Sequence, residues 1–410
     1  MLNNVISRWS AKRGPMFFVL LIIFMNALGI GLIYPMMPDL MVRVGAAGVS
    51  DGAMWAGLLM VTYAGAQFLF GPIVGGISDA IGRRPVLLVA LLVLTADYLV
   101  MALTTSYWLL VLVRLIGGIA GSTFITATAY LADVSPKEQR AANFGLIGAA
   151  FGAGFVAGPA IGGVLSAIDL ALPFYFAAAM AAANFLGALV FLPESLPAER
   201  RRRMTQRDFN PFAALTDAFR LPGLALPLML LFALELLNMV YPTLWSFWGR
   251  AAFGWSAAMI GTSFAAYGIG IALTQGVLLR LFIQYLGEGR TLMIGASCSA
   301  LALVGFGLAP WGWLAFALMP LAWFADMVPP NLSAAMANMV DDARQGVLQG
   351  VISSLGSVAG IVAPLVFPPF FAFVSAEDAP LYWPGAPFFA AGLVMLALLP
   401  FFYQLSRRLK

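Results

Sequence analysis

The sequence predicts an all-α membrane protein: twelve transmembrane helices in two pseudo-symmetric six-helix bundles. Three observations carry this. The 410 residues are 62% hydrophobic and only 10% charged, too little charge to cover a soluble globule. The apolar residues run on unbroken for about 20 residues at a time, the length a helix needs to cross hydrocarbon. Features of the first half also recur in the second at a nearly constant offset. In lipid only helices and closed barrels satisfy their backbone groups, and barrel strands would alternate over about ten residues.

The runs lie near 16–36, 54–75, 85–105, 107–130, 142–166, 171–193, 223–247, 258–281, 291–310, 313–336, 347–372 and 384–404. Arg8, Lys12 and Arg13 flank the first, which is long enough to span and has no small-residue cleavage site after it; it is expected to be a span, not a cleaved leader. With the N-terminus in the cytoplasm, the inner segments hold 19 of the 22 Lys and Arg. Outer loops hold Arg43 and Arg250, and Arg114 falls within a span. Under the positive-inside rule both termini are expected on the cytoplasmic side of a bacterial-type inner membrane. The net charge of +4 then reflects the anionic inner leaflet and gives no reason to expect nucleic acid.

Residues 194–222 are the one long polar segment, so the expected division is a bundle over 1–193, a cytoplasmic linker over 194–222 and a bundle over 223–410. Arg200–Arg203 within the linker read as a solvated stretch beside lipid headgroups rather than a binding tail. Tyr34-Pro35 recurs as Tyr241-Pro242, 207 residues on, while Tyr63 recurs as Tyr267 and Arg140 as Arg344, each 204 on. Three matches at nearly one offset indicate a duplicated six-span unit.

A charge inside the membrane costs about 3 kcal/mol or more, so each one is a functional candidate. Asp97 in span three and Arg114 in span four flank the turn near Ser106 symmetrically, each about 13 Å below it at 1.5 Å per residue. At equal depth they are expected to pair, with a structural or a proton-linked role. Glu235 sits mid-span in span seven, and Asp326 lies in span ten just before Pro329-Pro330. A desolvated carboxylate without a basic partner suits the loading and unloading of a proton; a hydrogen-bonded packing role is the alternative. Softer cavity candidates are Asn26, Tyr34, Tyr63, Gln67, Tyr241, Trp245 and Gln275, aromatic and amide groups that suit a flat organic ligand. Tyr63 and Gln67 share a helix face. Trp245, near the outer end of its span, also fits an interfacial belt, and that is the expected place for it.

The cytoplasmic loop 75–85, GGISDAIGRRP, sets Gly75, Asp79, Gly82, Arg83 and Arg84 in the pattern G-x-x-S-D-x-x-G-R-R-P. In span five, GLIGAAFGAGFVAGPAIGG spaces Gly145, Gly154, Gly158, Pro159, Gly162 and Gly163 as G-x8-G-x3-G-P-x-x-G-G. Glycines this dense let helices approach closely, and Pro159 should bend the span. The first pattern resembles the loop signature of the major facilitator superfamily, and the second the antiporter motif of its proton-coupled drug exporters. With NALGIGLIYPMMPDL in span one and VRLIGGIAGST in span four, the chain resembles the tetracycline-efflux branch of the twelve-span drug:proton antiporters.

The resemblance covers the whole chain and implies a rocker-switch carrier with a cavity lined by spans one, four, seven and ten. It implies that Asp79, Arg83 and Arg84 clamp the halves as a cytoplasmic latch, and that Arg114 lies at the cavity wall. Tetracycline exporters of this type carry an Asp where this chain has Asn26, a His at the position of Ile271 and an Asp at the position of Ser297; this chain has no His at all. Glu235, Asp326, Asp97 and Arg114 are then the expected proton-coupling groups. Cys298 is the sole cysteine, and no nucleotide-binding loop, metal-ligand cluster or cofactor motif is found, so neither enzyme activity nor a metal or cofactor is expected. The expected function is proton-coupled export of small organic compounds by a monomer whose partners are substrate, protons and lipid; a proton-coupled importer or facilitator on the same fold is the alternative.

Overall fold

In the computed structural model the described residues are 14–135, 140–205, 209–212, 216, 223–341 and 344–408. Their regular structure is helical throughout, with no strand among them. Twelve helices are long and apolar enough to cross a membrane: Pro15–Arg43, Val49–Ile81, Arg83–Leu103, Tyr107–Val134, Leu146–Ser166, Leu172–Phe191, Ala225–Phe253, Ala257–Leu286, Glu288–Leu308, Gly312–Ala337, Gln345–Ser375 and Ala386–Ser406. The described residues fall into two compact units, one within Met1–Gly45 and Thr62–Pro211 and one within Ala46–Val61 and Phe212–Lys410. Span two is longer than its apolar run, and span one continues to Arg43, whose guanidinium reaches the Met101 and Ala102 carbonyls at the end of span three. Expected in an outer loop, Arg43 instead caps a helix C-terminus, where a cation is favoured.

In the first unit the span-five glycines set the packing. An added Cβ would lie 2.3 Å from the Phe24 carbonyl oxygen at Gly154, 2.4 Å from that of Leu28 at Gly158 and 2.5 Å from that of Leu32 at Gly162. The three glycines and the three carbonyls each advance by four residues, so span five lies backbone to backbone along span one. The helix runs on through Pro159, whose ring faces Gly31, and Gly163 is buried beside the seam. The surroundings of Gly145 lie outside the described residues. In the second unit Gly289 meets the Ser406 carbonyl and Gly307 the backbone of Phe389, which draws spans nine and twelve together.

Among the described residues five spans are interrupted: one, four, seven, ten and, by a π turn, eight. Span one passes from Gly14–Ile33 through a 3-10 turn, Tyr34–Met36, into Met37–Arg43. Span four breaks at Ser122, span seven at Met239 between Ala225–Asn238 and Val240–Phe253, and span ten at Asp326-Met327 between Gly312–Ala325 and Val328–Ala337. Proline explains three of these. A proline lacks the N–H that would bond four residues back, so Pro35 frees the Gly31 carbonyl, Pro242 that of Asn238, and Pro329 and Pro330 those of Ala325 and Asp326. Span four has no proline; the Ser122 hydroxyl reaches the carbonyls of Gly118 and Gln67 at 3.3 and 3.2 Å and competes with the helix ladder. Span eight carries a π turn, Thr274–Leu278. Such irregular backbone is tolerated at membrane depth only inside protein or beside a watered cavity.

Candidate functional site

In the first unit Asp97 and Arg114 form an ion pair, and Asp97 is only 3% exposed. Two helix faces meeting across the Thr104–Ser106 turn bring them together. The Arg114 guanidinium also lies 5.3 Å from the centre of the Tyr63 ring. Gly117 leaves the Asp97 carboxylate room; a Cβ there would lie 3.1 Å from Oδ2. One carboxylate oxygen, Oδ1, and Arg114 Nε remain buried without a hydrogen-bond partner among the described residues. Tyr63 and Gln67 do share a face, against span four at Gly121, whose carbonyl accepts from Gln67 Nε2 at 3.2 Å. Asn26 donates to the Ile22 carbonyl within its own helix, and Tyr34 stands edge-on to Phe155.

The loop 75–85 is a charge network inside the first unit. Asp79 pairs with Arg83 and, at 2.7 Å, with Arg202 of the linker, while Arg83 Nε reaches Asp133 at 3.3 Å. Glu194 was not singled out by the sequence, yet its carboxylate accepts from the backbone N–H groups of Arg83 and Arg84 at 2.9 and 3.2 Å. These are the first turn of span three, so Glu194 caps a helix N-terminus and meets its dipole. Gly82 makes this possible: its φ is +113°, and a Cβ there would sit 2.3 Å from Glu194 Oε2. Arg84 donates to the Leu189 carbonyl, and Gly75 touches Ile125 across an ordinary contact distance. Every partner described for Asp79, Arg83 and Arg84 belongs to the first unit or to the start of the linker.

The second unit holds the open carboxylates. Glu235 lies one turn before the break in span seven, where the Met239 N–H donates to its carbonyl at 3.0 Å. Asp326 lies in the break of span ten and accepts from the Tyr267 hydroxyl at 2.6 Å. Gln275, in the π turn, donates to the Asp326 carbonyl at 3.3 Å, the carbonyl that Pro330 leaves without its helical donor. Among the described residues neither carboxylate has an ion-pair partner, in contrast to Asp97. Asn238 Oδ1, Tyr241 Oη and Trp323 Nε1 are buried there without hydrogen-bond partners among the described residues. The Tyr241 and Tyr267 rings are 6.3 Å apart.

Trp245 is a correction. It is not at an interfacial belt but is 5% exposed, donates to Ser263 Oγ at 2.8 Å and packs among Trp248, Trp255, Phe306 and Phe388. Span seven continues to Phe253, so Trp245 lies well inside the end of the helix rather than near it. A large aromatic whose N–H has a partner is at no disadvantage in a core. Tyr267 and Glu194 are the side chains in these networks that sequence reasoning left unassigned. The recurrence of Tyr63 as Tyr267 pointed to the first, and nothing in the sequence pointed to the second.

Comparison with known proteins agrees with this architecture. The sequence profile of the Major Facilitator Superfamily matches residues 19–249. The tetracycline resistance protein, class C, of Escherichia coli is 39% identical over 79% of this chain and 81% of its own length. The quinolone resistance protein NorA of Staphylococcus aureus is 30% identical over 79% of this chain and 81% of its own. The crystal structure of the human organic anion transporter MFSD10 superimposes with a TM-score of 0.68 at 26% identity, over 96% of this chain and 99% of that one. With twelve candidate spans, helix breaks at matching places in both halves and buried charges beside them, the chain belongs to the major facilitator superfamily: it is a multi-pass membrane transport protein and not an enzyme.

Proposed function

We propose that the protein is a proton-coupled exporter of small organic compounds in a bacterial inner membrane, working by alternating access with both termini in the cytoplasm. The observation that carries this reading is the division of charge between the units. The first unit neutralises its buried carboxylate with Arg114, whereas among the described residues of the second Glu235 and Asp326 have no ion-pair partner and lie beside two helix breaks. A carrier that exchanges substrate for protons needs a group that can load and unload a proton as access alternates, and a carboxylate held without a cation is such a group. Tyr241 and Tyr267 beside them supply aromatic faces and hydroxyls for a flat ligand. Relatives named for tetracycline, quinolone and multidrug resistance favour export over uptake.

The test is Glu235→Gln in proteoliposomes, with tetracycline and a quinolone as first probes and a pH gradient of either sign. Accumulation against the probe gradient should be lost and probe exchange retained, because exchange needs no net proton movement. Undiminished accumulation by the Gln variant would remove Glu235 from the coupling mechanism. Uptake driven by the opposite gradient would reverse the assigned direction.

A further inference from the structure

Asp326 is held twice by one helix, and this gives Tyr267 a role that neither the loop signature nor the span-five pattern assigns. We infer that Tyr267 is the positioning residue that sets the pH at which Asp326 exchanges its proton. The inference rests on reading Asp326 as a proton-carrying group. The Tyr267 hydroxyl donates to Asp326 Oδ2 at 2.6 Å, and Gln275 Nε2, two turns further on, donates to the Asp326 carbonyl at 3.3 Å. That carbonyl is available because Pro330 has no N–H for it. The π turn Thr274–Leu278 widens span eight where Gln275 must reach across. One contact orients the carboxylate and the other fixes the backbone that carries it.

The charged and titratable surroundings are few. Span seven presents Glu235 and Tyr241, with Arg250 at its far end, and span eight presents Tyr267, with Arg280 and Tyr285 beyond the π turn. Span nine offers Cys298 between its outer end and the terminal Glu288 and Arg290; span eleven has no titratable residue. The phenol O–H is the one side-chain donor described for the Asp326 carboxylate. A hydrogen bond given to a carboxylate favours its ionised form. Tyr267 therefore favours the ionised carboxylate and allows the proton to leave.

The experiment is a pH titration of the full chain in liposomes by difference infrared spectroscopy, without substrate. The protonated-carboxyl band of Asp326 is identified by its loss in Asp326→Asn. Tyr267→Phe should move the midpoint of that band to higher pH by about one to two units. A folded Tyr267→Phe protein with an unmoved midpoint would overturn the inference. Wild-type protein with isotope-labelled tyrosine gives an independent reading should the variant fail to fold. A tyrosine C–O band must change in step with the Asp326 band, and a flat tyrosine signal across the transition would refute the role. If wild type shows no Asp326 band at any pH, the reading of Asp326 as a proton carrier fails, and the inference with it.

Discussion

Replacing Gly158 by alanine tests how span five is held. The new Cβ would lie 2.4 Å from the Leu28 carbonyl oxygen and 2.8 Å from the Leu32 nitrogen, both backbone atoms that no rotamer change can move. Ordinary contact begins at 3.4 Å, so spans one and five must part locally by about 1 Å. A gap of that size forfeits roughly a quarter to a half of the dispersion attraction of each contact across the seam. Overpacking of this kind costs about 1–3 kcal/mol, or a fall of roughly 2–10 °C in the unfolding midpoint for a unit of this size. The control lies on the same helix: a Cβ at Gly148 or Gly152 has nothing within 4 Å. Alanine there should be neutral, since it improves helix propensity and meets no neighbour. The assay is thermal unfolding of detergent-purified protein followed by tryptophan fluorescence. Gly154→Ala and Gly162→Ala should behave like Gly158→Ala, and any two together should cost less than their sum, because the first already opens the seam. Equal midpoints for Gly158→Ala and Gly152→Ala would refute the reasoning.

Two further outcomes are expected. Asp97→Asn or Arg114→Gln alone leaves a lone buried charge and should cost about 3–5 kcal/mol, while the double variant recovers much of that loss; additive losses in the cycle would show that the pair contributes nothing as a pair. Glu194→Ala removes the cap on span three and should cost about 0.5–2 kcal/mol, whereas Arg202→Ala breaks a half-exposed ion pair and should cost less than about 1 kcal/mol, with the difference measured at low and at high salt.

Much of this was legible in the sequence, for identifiable reasons. The spans follow from unbroken apolar length, and the Asp97–Arg114 pair from equal depth around one turn together with the cost of an unpaired charge. The break at Asp326 follows from two prolines placed to take away the donors of Ala325 and Asp326. What remained hidden was direction and distance. Trp245 could not be turned inward, because span seven is apolar on several faces and periodicity does not choose among them. Glu194 lies 111 residues from the N–H of Arg83 that it caps, and no local pattern links a linker carboxylate to the start of span three. Likewise the glycine pattern announced a close helix contact, but not that its partner would be the carbonyl ladder of span one.

The break in span ten has one more consequence. Asp326 stands 204 residues after Ser122, the interval that separates Tyr267 from Tyr63, so the same bend in the same place carries a hydroxyl in one copy and a carboxylate in the other. Ser122 turns its hydroxyl back on neighbouring carbonyls, whereas Asp326 takes a tyrosine hydroxyl on its carboxylate and a glutamine amide on its backbone carbonyl, both from span eight. The bend recurs between the units while the group set in it does not: a hydroxyl closed on carbonyls in the first, a carboxylate reached by span eight in the second.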